Sequence, residues 1–225
     1  MTTIMQLKRA VRPLLERNPD LALVGRLVII RPIHHILRGI VFARGIYAEQ
    51  FNPIWATLFL FEPHDSLSSN WGESVYDRRG TWKFTDHDDL PAEMHRAIEE
   101  QALPLLRPIK TIDDFVGFAT KERFRHTHLD LYEHRKIFVD IARGDLDSAR
   151  SICEYMATDR AKRLYLPMKM DEEYDRMTKE LCPLIAKRDR AGLAHLLHKY
   201  EEGSVRAMKL EKYWEPTPFP IELQS

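Results

Sequence analysis

The chain has 225 residues, and its 34 basic and 34 acidic side chains cancel to a formal net charge of zero. That length corresponds to one large domain or two small ones, and it buries enough surface to fold without disulfides or a metal. A hydrophobic fraction of 44% is typical of a folded globular protein and excludes an intrinsically disordered one. The balanced charge also disfavours a dedicated nucleic-acid-binding protein, which usually has a basic excess.

The N-terminus and the cysteines predict a cytoplasmic protein. No uninterrupted apolar stretch of a secretory signal is present at the N-terminus, and the longest apolar run, 54–61, is far shorter than the ~20 residues that span a membrane. We therefore expect no membrane partner. Cys153 and Cys182 lie in helix-like apolar patterns, which indicates small buried side chains that stay reduced.

The first part of the chain predicts one helix followed by strands. Residues 4–17 carry apolar side chains at helical spacing, and Asn18-Pro19 predicts the end of that helix. In the predicted strand 54–61 both alternating sets of side chains are apolar, which is typical of a strand covered on both faces. A weaker segment from Val75-Tyr76 to Trp82-Phe84 predicts a terminal hairpin. The strands are predicted from three runs rich in Val, Ile and aromatic residues: 21–30, 36–47 and 54–61.

From residue 86 onward the pattern is helical. Pro91 is suited to the first turn of a helix that runs to about Leu106, and Pro104 and Pro108 then break the pattern. Thr111 predicts the N-cap of the next helix. Thr127 predicts the N-cap of a further helix that continues through Ile141.

The C-terminal half contains a weak internal repeat. Residues 137–155 align with residues 181–199 at an offset of 44, so that Asp145 matches Asp189. Gly144 has turn chemistry at a helix exit, and each copy therefore predicts a helix, a tight turn and a second helix. The pattern resembles the helical hairpin of tetratricopeptide-type repeats. Two copies are fewer than a stable repeat array contains, which favours two similar antiparallel hairpins packed on a sheet.

Together these elements predict an α+β fold: a small, mainly antiparallel sheet covered by helices, followed by a helical-hairpin C-terminal region. We expect a sheet domain over residues 1–110, a helical region packed on it over 111–215, and an extended tail over 216–225. The prolines of the tail favour an extended segment that docks back through Phe219 and Ile221.

Arg38 is the most informative candidate for a binding site. Eight basic and two acidic side chains occupy the first 45 positions, and pairing with the acidic segment 86–100 accounts for this excess better than a nucleic-acid surface. Strand alternation places Arg38 beside apolar neighbours, so its guanidinium must find a carboxylate, backbone carbonyls or an anionic ligand. An anion clamp at the start of this strand would involve His34, His35 and Arg44 as well.

A sequence motif surrounds Arg38. It consists of the stretch His35-Ile36-Leu37-Arg38-Gly39-Ile40-Val41-Phe42, followed by Phe51, Trp55, Phe59, Pro63 and Trp82. The motif resembles a family of bacterial proteins that carry a His-Ile-Leu-Arg-Gly strand and then an aromatic strand ending at proline. The resemblance covers residues 34–63 for the most part, and it implies no activity. It implies that His35, Arg38 and Gly39 form a structural or ligand-facing signature.

A second cluster has the residue types of a metal site. His126, Asp130 and His134 recur at four-residue steps, as zinc ligands do on one helix face. If Thr127 caps the helix, His126 lies outside it, and neither an HExxH pattern nor a cysteine pair supplies the missing ligand. We therefore expect no metal and no other cofactor.

The motifs favour an interaction protein, and an enzyme is the alternative. The sequence contains no GxGxxG, GxxxxGK[ST] or GxSxG pattern. The leading hypothesis is a non-enzymatic bacterial interaction or regulatory protein, with toxin neutralisation as one role, in which the helical hairpins bind a protein partner. The alternative is an enzyme that binds a small molecule or anion in a cleft around His34, His35 and Arg38.

Overall fold

A computed structural model of the chain describes residues 3–45, 47, 50–63, 71–75, 82–83, 90–121, 129, 132–159, 161 and 174–224. These residues form an α+β fold, as the sequence predicts, with an N-terminal helix, an antiparallel sheet and then helices. They divide into two compact units. Unit 1 comprises the described residues within 1–59, 66–111 and 205–215, and unit 2 those within 60–65, 112–204 and 216–225.

Helix α1 (Ile4–Arg17) is closed at both ends by local hydrogen bonds. The Thr3 hydroxyl accepts a hydrogen bond from the Gln6 backbone N–H at 3.1 Å, and the Gln6 side chain accepts one from the Thr3 N–H at 2.8 Å. Asn18 is the C-cap, which confirms the predicted end of the helix. One face of the helix is buried through Leu7, Ala10, Val11 and Leu14.

The described residues form a six-stranded antiparallel sheet in unit 1. Its order is β1-β2-β3-β4-β5, and β6 also pairs with β4. The strands are β1 (Leu21–Val24), β2 (Leu27–Ile30), β3 (Ile36–Arg44), β4 (Gln50–Phe59), β5 (Trp71–Ser74) and β6 (Trp82–Lys83).

Two strand predictions are corrected by this topology. The run 21–30 is a hairpin of two strands, because Gly25 adopts a φ of +58° at the turn between β1 and β2. The predicted hairpin between Val75 and Trp82 is also wrong, since Trp82 pairs with Phe51 of β4, and β5 pairs with a different part of the same strand.

Strands β3 and β4 form the buried centre of the sheet. Trp55 and Ala56 point to opposite faces of β4 and both are buried, which confirms the prediction of a strand covered on both faces. Gly39 lies where β2 and β3 approach closely, and a Cβ added there would be 2.3 Å from the carbonyl oxygen of Val28. Only glycine fits this position.

The helix that follows the sheet passes through Pro104, contrary to the predicted break. It comprises α2 (Leu90–Ala97), a π-helical turn (Ile98–Ala102) and α3 (Leu103–Leu106). Pro104 lies in the first turn of α3, where a backbone N–H is not required, and the π-helical turn directly before it changes the hydrogen-bonding pattern.

Further helices occupy the second half of the chain. Tyr132 is the N-cap of α5, whereas Thr127, the predicted cap, lies outside the described residues. None of the helices in the described ranges combines the length and the apolar character that a membrane span requires. The elements are α4 (Ile112–Ala119), α5 (Glu133–Arg143), α6 (Leu146–Met156), a π-helical turn (Arg176–Leu181), α7 (Cys182–Ala186), α8 (Arg190–Ala207) and a 3₁₀ turn (Pro220–Glu222).

Candidate functional site

Arg38 is buried in the sheet of unit 1, with 6% of its surface exposed. Its Nη2 donates a hydrogen bond to the carbonyl oxygen of Pro32 at 2.9 Å. Because Pro32 lies in the loop before β3, this bond ties the loop to the strand. A backbone carbonyl is one of the three kinds of partner that the sequence analysis allows for this guanidinium.

Thr57 lies directly opposite Arg38 in the register of β3 and β4. It is fully buried, and its hydroxyl has no hydrogen-bond partner in the described part of the chain. An unpartnered buried hydroxyl costs about 1–3 kcal/mol. The two polar side chains thus share one sheet face with the apolar residues Ile36 and Ile40.

The structure brings three of the four predicted binding residues to one end of β3. His34 directs Nδ1 at the carbonyl oxygen of Glu215, 3.0 Å away, and His35 is buried. Arg44 is exposed at the opposite end of β3, about 20 Å from Arg38 along the strand. Arg44 is therefore too far from Arg38 to contact the same small ligand.

A distant segment of unit 1 completes this end of the sheet. Ile33 donates its N–H to the carbonyl of Tyr213 at 3.1 Å, and its own carbonyl accepts from the N–H of Glu215 at 2.8 Å. The guanidinium of Arg31 lies over the Tyr213 ring, 5.9 Å from its centroid. Sequence reasoning missed this segment, because no local pattern indicates a contact between residues 181 positions apart.

Unit 2 contains two matching helix–turn–helix hairpins, which agrees with the repeat seen in the sequence. The first joins α5 to α6 at Gly144, and the second joins α7 to α8 at Arg188. Gly144 donates its N–H to Ile141 and Arg188 donates its N–H to Ile185, both at 2.9 Å. These equivalent bonds are 44 residues apart in the sequence.

The aspartate that follows each turn has the same role in both hairpins. Asp145 accepts a hydrogen bond from the N–H of Ser148 at 3.0 Å, and Asp189 accepts one from the N–H of Gly192 at 2.9 Å. Each carboxylate thereby caps the start of the second helix. Arg188 also donates a hydrogen bond to Asp147 of α6 at 2.8 Å, which links the second turn to the first hairpin.

Cys153 and Cys182 form a disulfide, so the prediction of two buried, reduced cysteines is wrong. Their Cα atoms are 5.6 Å apart, and both residues are half-buried. The bond joins α6 to the start of α7 and therefore connects the two hairpins. Disulfides are typical of oxidising compartments, which argues against the expected reducing cytoplasm.

A partly buried polar network links the helices of the first hairpin. The carboxylate of Asp140 is 2.5 Å from the Lys136 ammonium and accepts a hydrogen bond from the Ser148 hydroxyl at 2.7 Å. Lys136 also donates to the Ser148 oxygen at 2.8 Å. Because Asp140 holds the ammonium as an ion pair, the arrangement favours a structural role over a lysine-activated serine nucleophile.

A second polar cluster lies beside the C-terminal segment. His198 of α8 directs Nε2 at the carboxylate of Glu222, 2.9 Å away, and Nδ1 at the buried carboxylate of Glu201, 3.7 Å away. The His198 ring also packs against Phe219, with their centroids 4.7 Å apart. Sequence reasoning missed this cluster, although it predicted that Phe219 would dock.

Two of the three predicted metal ligands, His126 and Asp130, lie outside the described residues. His134 is half-buried at the start of α5, where burial and the charge of Arg135 lower its pKa to about 4. The described residues contain no group of three or more His, Cys, Asp or Glu side chains that could hold a metal ion.

Comparison of the chain with protein-family models, curated proteins and solved structures finds no match. The likeness of residues 34–63 to a bacterial family therefore stays a prediction, and so does the likeness of the hairpins to tetratricopeptide-type repeats.

Proposed function

We propose that the chain is a non-enzymatic bacterial interaction protein that binds a protein partner through the helical hairpins of unit 2. The observation that carries this proposal is the repetition of one hairpin geometry, down to its individual turn and cap hydrogen bonds. Repeated helical hairpins place side chains at regular spacing on a continuous surface, which is how helical repeat proteins present a binding face. Regulation or toxin neutralisation would use such a surface.

The links between the two hairpins support the proposal. The disulfide from Cys153 to Cys182 and the hydrogen bond from Arg188 to Asp147 both connect the first hairpin to the second. A surface held rigid in this way loses little conformational entropy when it binds. Its exposed side chains carry both charges, since Arg150 and Glu154 lie on α6. This composition suits the polar rim of a protein interface.

The test uses the full-length protein as bait in an extract of its source organism, with chemical cross-linking and mass spectrometry of the captured proteins. The variant that removes the proposed surface is Arg150→Glu with Lys199→Glu, both at exposed helix positions. The matched control is Lys8→Glu with Arg9→Glu on the exposed face of α1, which makes the same charge change in unit 1.

We expect one partner to be cross-linked to unit 2 and recovered equally by the wild-type protein and the α1 control. The hairpin variant should recover it at least about ten-fold less, because charge reversal at an interface opposes association. Equal recovery by all three proteins, or cross-links confined to unit 1, would contradict the proposal.

The second candidate function is binding of a small anion beside Arg38. The observation that favours it is the fully buried Thr57 hydroxyl, which lies opposite the Arg38 guanidinium and has no partner among the described residues. A guanidinium and a hydroxyl together form a donor set that suits phosphate or carboxylate. Such a site would serve the enzyme alternative, with His34 and His35 at the same end of β3.

Thermal unfolding in increasing phosphate tests this candidate. We expect phosphate to stabilise the wild-type protein and Arg44→Ala, but not Arg38→Gln, if the anion binds at Arg38. Thr57→Val removes the hydroxyl and keeps nearly the same side-chain volume. It therefore tests the contribution of the hydroxyl to phosphate binding without a packing defect that would lower stability by itself. A phosphate effect of the same size in all four proteins would exclude the site.

A further inference from the structure

The C-terminal segment, residues 216–224, packs on unit 2 in the manner of a bound peptide. Phe219 and Ile221 are 0% and 1% exposed, whereas Pro216 and Pro218 are exposed. The segment has no strand pairing and no helix other than the single 3₁₀ turn at Pro220–Glu222. Side-chain packing and a few hydrogen bonds therefore hold the segment in place, as they hold a short extended peptide ligand.

The apolar contacts surround one aromatic side chain. The Phe219 ring meets the Phe61 ring edge to face with their centroids 5.4 Å apart, and it packs on the His198 ring of α8 from 4.7 Å. Ile221 is buried two residues further along. Phe219 and Ile221 are thus the two anchors of the segment.

Polar groups fix the direction of the segment. The Glu222 carboxylate accepts a hydrogen bond from the N–H of Phe219 at 2.6 Å and lies 2.9 Å from Nε2 of His198. Gln224 donates to the carbonyl of Arg143 at the end of α5 and accepts from Arg190 of α8, at 2.7 and 3.1 Å. The segment therefore contacts a helix from each hairpin.

The composition of the segment also matches that of a recognition peptide. Prolines at positions 216, 218 and 220 fix φ at their own positions and favour an extended conformation for the residue before each of them, so the free segment loses less entropy when it docks. In this chain the docking is intramolecular, and a short tether gives the segment an effective concentration in the millimolar range.

We propose that the C-terminal segment is an intramolecular ligand that occupies the partner site of the helical hairpins. The external partner is a protein with an extended, proline-flanked segment that carries an aromatic residue, a branched aliphatic residue two positions later and an acidic residue directly after it. Phe219, Ile221 and Glu222 display this pattern. The inference rests on the proposed function and names the class of partner for the same surface.

The test measures the binding of a fluorescent peptide of residues 216–225 to the full-length protein by anisotropy. The wild-type protein is compared with the variant Phe219→Ala, Ile221→Ala, whose own segment has lost both anchors. Circular dichroism and a free-thiol assay verify that the variant is folded and that its disulfide is formed. A peptide that carries the same two alanines is the control ligand.

We expect the variant to bind the native peptide at least about ten-fold more tightly than the wild-type protein does, because the wild-type site is already filled in cis. The control peptide should bind to neither protein. Absence of binding to the folded variant, or equal binding to both proteins, would overturn the proposal.

Two further results also decide the question. If the double variant does not fold, Ile221→Ala alone gives the same comparison. If neither variant folds, the segment is part of the folded core, and the proposal that it can be displaced is overturned. A wild-type dimer in light scattering that becomes a monomer on removal of residues 216–225 would show that the segment binds a second copy of the chain, and it would overturn the proposal of an intramolecular ligand. A partner that cross-links to the helices of unit 2 in the capture experiment would still support the proposed function if the peptide fails to bind, so the failure of this inference and the failure of the proposed function are distinguishable.

Discussion

Gly144 and Arg188 occupy the same position in two hairpins and both have a positive backbone φ, of 80° and 51° respectively. Glycine adopts this left-handed conformation without steric cost, whereas arginine does not. Arg188 adopts this conformation and also donates a hydrogen bond to Asp147 of the other hairpin. The second turn thus has the backbone geometry of the first without a glycine.

Replacing Gly144 with alanine should therefore destabilise the protein. The left-handed backbone costs about 1–2 kcal/mol in alanine, and the added Cβ would lie 2.2 Å from Oε1 of Gln224 and displace it. Urea denaturation measures the loss. Gly117→Ala in α4 is the control of opposite sign, since nothing lies within 4 Å of its Cβ, and we expect a gain of about 0.5–1 kcal/mol. A stabilised Gly144→Ala protein would contradict the explanation.

Gly39→Ala tests the close approach of β2 and β3. A Cβ only 2.3 Å from the carbonyl oxygen of Val28 meets rigid backbone, so the strands must separate. We expect a loss of roughly 3 kcal/mol or more, seen as a lower midpoint in thermal unfolding. Gly203→Ala in α8, with open space around its Cβ, should not lower the midpoint. Similar midpoints for wild type and Gly39→Ala would show that the approach is looser than described.

Removal of the disulfide should lower stability substantially. Cys153 and Cys182 are 29 positions apart, and closing a loop of that length contributes about 3.5 kcal/mol through the entropy of the unfolded chain. The double variant Cys153→Ser, Cys182→Ser should lose this amount in urea denaturation. Reduction of the wild-type protein is the parallel measurement, and it should release two thiols and give the same loss. Two reactive thiols before reduction would contradict the disulfide.

Two ion pairs with the same i,i+4 spacing differ in burial and should differ in strength. Asp140 is buried beside Lys136, which is 24% exposed, and Asp140→Ala should cost about 2–3 kcal/mol because it removes the charged hydrogen bonds to Lys136 and Ser148. Asp175 forms an exposed pair with Lys179 at 2.7 Å, and Asp175→Ala should cost less than about 0.5 kcal/mol. Denaturant unfolding of both variants gives the comparison, and equal losses would contradict it.

His95 should make the protein less stable in mild acid. Burial lowers the pKa of His95 below its usual value, with Arg17 adding to this effect and the Ala10 carbonyl and Glu99 opposing it. The unfolded state therefore takes up a proton before the folded state does, and stability falls as pH drops from about 6.5 towards the lowered pKa. The free energy of unfolding, measured at about pH 7.5 and pH 5, should fall further in the wild-type protein than in His95→Gln. Equal losses in the two proteins would show that His95 does not cause the loss of stability in acid.

Local patterns predicted the elements whose boundaries depend on neighbouring residues. Asn18-Pro19 marked the end of α1, and the apolar alternation of 54–61 indicated a strand buried on both faces. Gly144 and the following aspartate marked the first hairpin turn, because left-handed turns and N-caps involve residues only a few positions apart. Gly25 carried the same kind of signal, but the prediction missed it and took the run 21–30 as one strand, whereas the turn at Gly25 divides it into two.

The sequence by itself determined the α+β architecture, the end of the first helix and the repeated hairpins, because each depends on periodicity and capping within a few residues. Only the tertiary structure decided that Cys153 meets Cys182, that Thr57 faces Arg38 and that the carbonyl of Glu215 lies beside His34. Each of these contacts joins residues that are far apart in the sequence, and the residues next to each partner do not indicate which distant residue it will meet.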